Sequence, residues 1–352
     1  AVIITPASVV PSFVRQCGEK GIRNIVIESA GFSEQGGEGK KLQKEIDDCA
    51  KQYGIRLLGP NCLGVMNNVT RFCCFYGAYD GIMDALNKAG GVSYVIQSGG
   101  VGVVIIESLM DDMQGINKMV SIGNKTDVDE ADLLDYFNND NTQVISMYLE
   151  NVADGTKLMK AASRVKKPIM IFKSGRTEAG TAAALSHTAG MANNDVIFDS
   201  MCRQAGIIRL KSISELYSLP KMLTEMPLLR GNRIAAFTNS GAFGSISADI
   251  MVDAGLTIPR LSPETREKLS KIKGVFNVNN PVDIGPALPQ VYLDLIDIIL
   301  AAPEVDGLLL MSSIWRDFVI DVIKEVIKMC RHYDKPAAIY TPNSISKIIS
   351  VR

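Results

Sequence analysis

Nearly continuous apolar runs rich in β-branched residues recur along this chain at 24–30, 92–98, 118–124, 144–150, 168–174, 233–240, 307–313 and 336–341, with helix-length stretches between them. A run that is apolar at successive rather than alternate positions describes a strand covered on both faces, and helical spacers between such runs make the strands parallel. The fold class expected is therefore α/β, with open doubly wound parallel sheets in series. In such sheets ligands gather at the carboxyl edge, where the loops leave the strands. Several of these runs end in polar or glycine-rich turns, so function is expected there.

Two breaks divide the chain. Residues 79–91 read as a short helix and a Gly-Gly turn after an irregular stretch at 67–77, and 227–232 precede a fresh strand. Domains are expected at 1–80, 81–226 and 227–352. The first holds too few strands for a whole doubly wound domain, which suits an amino-terminal portion lying outside these 352 residues. The opening strand-like Val2-Ile3-Ile4-Thr5 fits a start inside a domain.

Composition excludes some partners. With 37 basic and 38 acidic side chains and a net charge of -1, the chain carries no electrostatic footprint for nucleic acid. No apolar run approaches the roughly 18 residues that span a bilayer, so no membrane partner is expected. The seven cysteines show no CxxC spacing and no paired pattern. That usage fits reduced thiols in a cytoplasm, without disulfides or a metal site.

Chemistry concentrates in three places. Only two histidines are present, and one, His187, sits in a run of small residues, 180–190, that follows Lys173-Ser174-Gly175-Arg176. Glycines and alanines there allow close backbone approach and travel, as a side chain that carries a reactive group between sites requires. The alternative is an ordinary hydrogen-bonded structural role. The other histidine, His332, closes an amphipathic helix and reads as a partner of its negative end.

Ser98-Gly99-Gly100 follows one strand and opens a buried helix, and Asn239-Ser240-Gly241 repeats that design later. Exposed N–H groups and the positive end of a helix are the physical recipe for holding phosphate. Two such termini aimed at one phosphate would together offset about 1 to 4 kcal/mol of the cost of a partly buried charge. Ser98 to Gly102 fails the GxGxxG dinucleotide pattern, since Ile105 replaces the third glycine, and tight packing alone is the competing explanation. A neutral imidazole attacks phosphorus only if a partner holds its second ring nitrogen in the right tautomer. Glu150, at a strand end, would serve, unless it is a cap or a surface charge. Asp127 and Asp129 are read as capping residues for the helix that starts at Glu130, Asp129 most clearly.

Taken in order, Gly59-Pro60-Asn61-Cys62-Leu63-Gly64, Ser98-Gly99-Gly100, Ser121-Ile122-Gly123-Asn124, Lys173-Ser174-Gly175-Arg176, Ser186-His187-Thr188, Thr238-Asn239-Ser240-Gly241 and Asn280-Pro281-Val282-Asp283 resemble the NDP-forming acyl-CoA synthetases, and among them the α subunit of ADP-forming acetate-CoA ligases. Succinyl-CoA synthetase is a more distant relative. The resemblance runs from residue 1 to about 345. It implies a partial Rossmann-like CoA-binding domain followed by two flavodoxin-like ligase domains.

It also implies a reaction in which acyl-CoA and phosphate give an acyl phosphate, a histidine takes the phosphoryl group, and a nucleotide accepts it. On that resemblance His187 is the phosphohistidine and Glu150 orients it. Ser98, Gly99, Gly100, Asn239, Ser240 and Gly241 cradle the phosphate. Thr5, Pro6, Ser29, Gly31 and Asn61 belong to turns that contact CoA. The family's amino-terminal glycine loop is not among these residues. ADP or ATP with Mg²⁺ would bind an ATP-grasp partner, on a separate subunit or a fused domain, within a homo- or hetero-oligomer. Phe75, Tyr76, Val101 and Ile122 are candidates for a small acyl pocket. Two other functions compete: a CoA-binding regulatory module that keeps the fold without turnover, and a nicotinamide oxidoreductase, which the failed fingerprint disfavours.

Overall fold

A computed structural model describes residues 1–77, 79–111, 115–180, 194–285, 289–311 and 318–340. The chain divides into two compact units, Ala1–Thr224 and Glu225–Arg352. The first holds two sheets. Strands β1 (Val2–Ile3), β2 (Asn24–Ile27) and β3 (Arg56–Leu58) form a parallel sheet in the order β1-β2-β3. The larger sheet contains β4 (Val65–Asn67), β5 (Phe72–Cys73), β6 (Ala89–Ile96), β7 (Ile116–Ser121), β8 (Val144–Leu149), β9 (Ile169–Lys173) and β10 (Ile208–Arg209), in the order β10-β9-β8-β6-β7-β4-β5. The second unit carries β11 (Ile234–Thr238), β12 (Val282–Asp283), β13 (Gly307–Met311) and β14 (Ala337–Tyr340), parallel in the order β12-β11-β13-β14. The α/β class and its serial parallel sheets are as the apolar runs predict.

Why those runs lack alternation is visible in the seven-stranded sheet. Ile145, Met147 and Leu149 of β8 enter one core with Val95, Leu134 and Phe137. Val144 and Tyr148 enter another, on the opposite face, with Tyr94, Ile96, Ile105 and Leu109. Successive side chains point to opposite faces, and both faces are covered, so both must be apolar. The helix Gly99–Asp111 starts Gly-Gly-Val-Gly-Val-Val, a poor local helix former. It is sustained by burying Ile105, Ile106 and Leu109, each under 5% exposed.

In three places the structure differs from the sequence reading. The stretch read as irregular, 67–77, holds β5 and the last residue of β4, which pair as an antiparallel hairpin; β4 is also antiparallel to β7, so the hairpin extends the seven-stranded sheet. Its strands are only two and three residues long, too short for a periodic signal. Gly90-Gly91 is not a turn; it lies inside β6, where the register shifts. A β-carbon on Gly90 would collide with the Gly115 backbone, so glycine is required there by close approach. Asp127 caps no helix. Its Oδ2 accepts from Arg56 Nε at 2.9 Å and from the Leu57 N–H at 2.8 Å, tying the loop after β7 to β3.

Asp129 does cap the helix Glu130–Asn138. Its carboxylate accepts from the N–H groups of Ala131 and Asp132, and Asp132 returns the bond to the Asp129 N–H. Burial raises the Asp129 carboxyl, but Lys157 and those N–H groups outweigh it and hold it below the usual range. His332 lies in the last turn of the helix Phe318–Tyr333, its ring edge-on to Tyr333. All seven cysteines are free, and among the described residues no helix is long and apolar enough to cross a membrane.

Phe137 has no exposed surface and packs in the core below the β8 face. Phe137→Ala is expected to lower unfolding free energy by about 3 to 5 kcal/mol, read as a reduced urea midpoint at unchanged slope.

Candidate functional site

At the centre of the larger sheet the chain reverses its direction of winding: β6 is flanked by β7 on one side and β8 on the other. Ile96 pairs with both Ser121 and Tyr148, which brings the loops after all three strands to one level. Such a switch point opens a crevice at the carboxyl edge. A cavity of about 1180 Å³ occupies it. Its wall is supplied by Ser98, Gly99 and Gly100 after β6, Gly123 to Lys125 after β7, Glu150 and Asn151 after β8, and Ser174, Gly175 and Gly180 after β9. The three-stranded sheet closes the other side with Ile4, Glu28, Ser33, Gln43 and Asn61.

Backbone bonds lock the two sheets together at this edge. The N–H groups of Asn124 and Thr126 cross to Pro60 O and Gly59 O at 2.9 and 3.2 Å, and within the smaller sheet's own loops the Asn61 N–H donates to Ser29 O at 2.9 Å. Asn124 then donates through Nδ2 to Glu34 Oε2 at 2.6 Å, in the turn after β2, and to Gln43 Oε1 at 3.0 Å, in the helix Gly37–Tyr53 that follows. Glu34 also accepts from the Gly31 and Phe32 N–H groups. Burial raises the Glu34 carboxyl, yet the Asn124 amide and those N–H donors prevail and keep it below its ordinary value.

Lys125 is buried beside the cavity. Its ammonium donates to Glu130 Oε2 at 3.0 Å and to Asn151 O at 2.8 Å, and both charged side chains are only 3% exposed. The residue adopts φ 56°, the left-handed region that lets its side chain turn back under the loop. This pair fixes the segment that carries Glu150. On the far side of that segment the Glu150 N–H donates to Gln97 Oε1 at 2.8 Å, and Tyr148 Oη approaches Glu150 Oε1 at 3.5 Å.

Thus Glu150, Ser98, Gly99, Gly100 and Asn61, separate in sequence, share one cavity. Thr5, Pro6, Ser29 and Gly31 come to the same edge of the three-stranded sheet, with the Thr5 N–H donating to Ser29 Oγ at 3.0 Å, although the cavity wall there is made by their neighbours. His187 lies outside the described residues; the segment that leads to it passes Ser174, Gly175 and Gly180 on the cavity wall. Asn239, Ser240 and Gly241 open the helix Gly241–Asp253 after β11 in the second unit, where Thr238 Oγ1 accepts from the Ser240 N–H at 3.1 Å. Of the acyl-pocket candidates only Tyr76 lines the cavity. Ile122 is fully buried in the core and Phe75 nearly so, because apolar residues at a strand end pack under the sheet rather than into the crevice.

Sequence reasoning missed Gln97, Lys125 and Glu28. The first two adjoin turns already singled out, whereas Glu28 shows only as a single acid ending an apolar run. Both of its carboxylate oxygens are closed off from solvent without a hydrogen-bond partner among the described residues, and burial pushes the group up to about 7. The titratable side chains beside it are thiols: Cys62, raised to about 12 by burial, and Cys74, also raised by burial. Neither supplies a positive charge, and a thiol as protonated as Cys62 is a poor nucleophile. Cys62 donates weakly to Ile27 O and is structural.

Comparison with known proteins names the class. Residues 1–68 match the family model of a CoA binding domain, and residues 89–223 match that of a succinyl-CoA ligase like flavodoxin domain. Acetate–CoA ligase [ADP-forming] II subunit alpha of Pyrococcus furiosus is 35% identical over 314 residues, covering 88% of this chain and 67% of that subunit. Acetate–CoA ligase [ADP-forming] II of Archaeoglobus fulgidus is 35% identical over 347 residues, covering 96% of this chain and 50% of its own length. The structure superposes on the dinucleotide forming acetyl-coenzyme A synthetase 1 of Ca. Korarchaeum cryptofilum, in complex with phosphate and ADP, with a TM-score of 0.89 at 32% identity, over 98% of this chain and 75% of that one. The chain belongs to the NDP-forming acyl-CoA synthetases, and within them to the family of the ADP-forming acetate–CoA ligase α subunits. It spans half or less of the length of the first two curated relatives.

Two outcomes follow from the buried charges. Lys125→Met leaves Glu130 buried without its partner and is expected to destabilise the protein by about 3 to 5 kcal/mol, whereas Lys125→Met with Glu130→Leu recovers most of that loss in chemical denaturation. Glu28 binds its proton more tightly folded than unfolded. Its contribution to stability is therefore complete below the unfolded carboxyl range, falls as pH rises from about 4.5 to 7, and levels off above. Glu28→Gln is expected to flatten that decline, so that the variant gains thermal midpoint over the parent at pH 8 but not at pH 4.5.

Proposed function

We propose that this chain is the acyl-transferring and phosphoryl-carrying part of an ADP-forming acyl-CoA synthetase, interconverting acyl-CoA, ADP and phosphate with a carboxylic acid, ATP and CoA. One observation carries the reading: the opening turn of the helix Gly99–Asp111, Glu150 and the Ser174–Gly180 flank of the His187 segment converge on a single cavity, which the CoA-binding sheet closes with Asn61.

In that reading a phosphate oxygen attacks the thioester carbonyl, the C–S bond breaks and CoA leaves as the thiolate. Ser98 to Gly100 hold the resulting acyl phosphate, presenting backbone donors and a positive helix end to the equatorial oxygens. A ring nitrogen of His187 then attacks phosphorus in line. The P–O bond to the acyl group breaks, the carboxylate departs, and Glu150 accepts from the other ring N–H and steadies the cation that forms. By the same resemblance the helix-opening turn at Asn239 to Gly241 is a second phosphate-binding turn.

The carrier segment delivers the group to ADP on an ATP-grasp unit, fused or separate, where Mg²⁺ accompanies the nucleotide. The acid is a small one, acetate being the family type. The cytoplasm suits the free thiols, and assembly into an oligomer supplies the nucleotide site.

Incubation of the full-length protein and its ATP-grasp unit with ³²P-labelled ATP is expected to leave a base-stable, acid-labile label that is discharged by acid plus CoA. His187→Ala is expected to abolish the label, and Glu150→Gln to slow its formation by about 10² to 10⁴-fold. Retained label in His187→Ala overturns the assignment. CoA binding with no label in the unaltered protein indicates a regulatory module instead.

A further inference from the structure

Gln97 follows β6 and immediately precedes the phosphate turn, and it is 6% exposed. Its amide has a defined orientation. Oε1 accepts two backbone N–H groups, from Glu150 at 2.8 Å and from Asn151 at 3.3 Å. A backbone N–H can only donate, so the oxygen must face β8, and the usual ambiguity between amide O and N does not arise. The NH₂ group is thereby turned away from that clamp. Gln97 lines the cavity beside Ser98 and Glu150. Nε2 has no acceptor among the described residues, yet it is not one of the atoms closed off from solvent. A side chain this deeply buried, with one end fully used and the other offering two donors to a cavity, calls for an acceptor in that cavity.

The neighbouring groups specify the acceptor. The helix Gly99–Asp111 has no acidic residue in its first turn, and its positive end opens beside Gln97. Neutral amide donors next to a helix amino terminus favour an oxyanion with several lone pairs, such as phosphate, over a cation or a hydroxyl.

We propose that Gln97 is a phosphoryl-binding residue and at the same time the positioning residue for Glu150: its NH₂ donates to an oxygen of the tetrahedral phosphoryl group at the Ser98–Gly100 turn, while its carbonyl oxygen holds the Glu150–Asn151 turn. The inference rests on the function proposed above and adds a residue that ties the phosphate cradle to the group that orients the histidine. Through one rigid amide, ligand position and Glu150 position become the same geometric variable. Lys125 holds the same turn through Asn151 O, so the backbone that bears Glu150 is fixed from two sides.

Two substitutions separate the two halves of the role. Gln97→Glu keeps the shape and an acceptor for both N–H groups but replaces the donor with a negatively charged oxygen. In the full-length protein its thermal midpoint without ligand is expected within 2 °C or so of the parent, about the shift of a substitution worth under 1 kcal/mol. Its apparent Kd for inorganic phosphate, read from the phosphate dependence of that midpoint, is expected to rise at least tenfold. KM for phosphate should rise likewise at a smaller change in kcat. Gln97→Leu removes the clamp as well, so kcat is expected to fall along with phosphate affinity. Phosphate affinity in Gln97→Glu within twofold of the parent overturns the proposal while leaving the acyl-CoA synthetase reading intact. A parent protein that inorganic phosphate does not stabilise, and that takes no label from ATP, overturns both.

Discussion

The site depends on one close approach between two backbones. Gly123, in the loop after β7, has φ 54°, and a β-carbon there would collide with the carbonyl oxygens of Pro60 and Asn61. No other residue type fits, because both the conformation and the space exclude a side chain. The contact lets Asn124 and Thr126 donate to the Gly59-Pro60 turn, and through that turn the three-stranded sheet is fastened to the seven-stranded one. Everything that the cavity brings together, from Asn61 on one side to Glu150 on the other, follows from the two sheets meeting at this edge.

Around that contact, the buried charges of Lys125, Glu130 and Glu34 have counterparts, whereas that of Glu28 has none among the described residues. Lys125 and Glu130 satisfy one another below the cavity, and the same ammonium restrains the chain beside Glu150. Glu34 is kept ionised by an amide and two N–H donors that join the turn after β2 to the loop after β7. These bonds make the wall rigid, which a site that must hold a tetrahedral anion requires, since reorganisation at the moment of reaction would cost what the dipoles supply. Glu28 is the exception. Its carboxyl sits beside thiols, and burial pushes it up to about 7, with no hydrogen-bond donor to it among the described residues.

Much of this was legible in the residues themselves. The doubled helix-opening turns, the small-residue run around His187 and Glu150 at the end of β8 all stand out by type and spacing. Four strands of the larger sheet, β6 to β9, are marked by apolar runs long enough to be read. What failed did so for physical reasons. The β4–β5 hairpin is too short to show a period. Gly90-Gly91 reads as a turn because glycine serves both turning and close packing, and only the presence of Gly115 across the strand distinguishes them. Asp127 has the composition of a cap but spends its carboxylate on Arg56 and Leu57, 71 and 70 positions away in sequence. Ile122 and Phe75 were candidates for a pocket because they are apolar and near the turns, and the core took them.

By itself the sequence determined that the strands of the long apolar runs are covered on both faces, that they are parallel, and that polar turns follow them, because these are matters of local pattern and of which surfaces must be dry. Tertiary structure alone decided which turns share a cavity. Strand order places β7 and β8 on either side of β6, and that order depends on long-range packing that no spacing along the chain encodes. It also decided the direction of the Gln97 amide, a residue unremarkable in sequence. Its donors are aimed by two N–H groups that arrive from another strand.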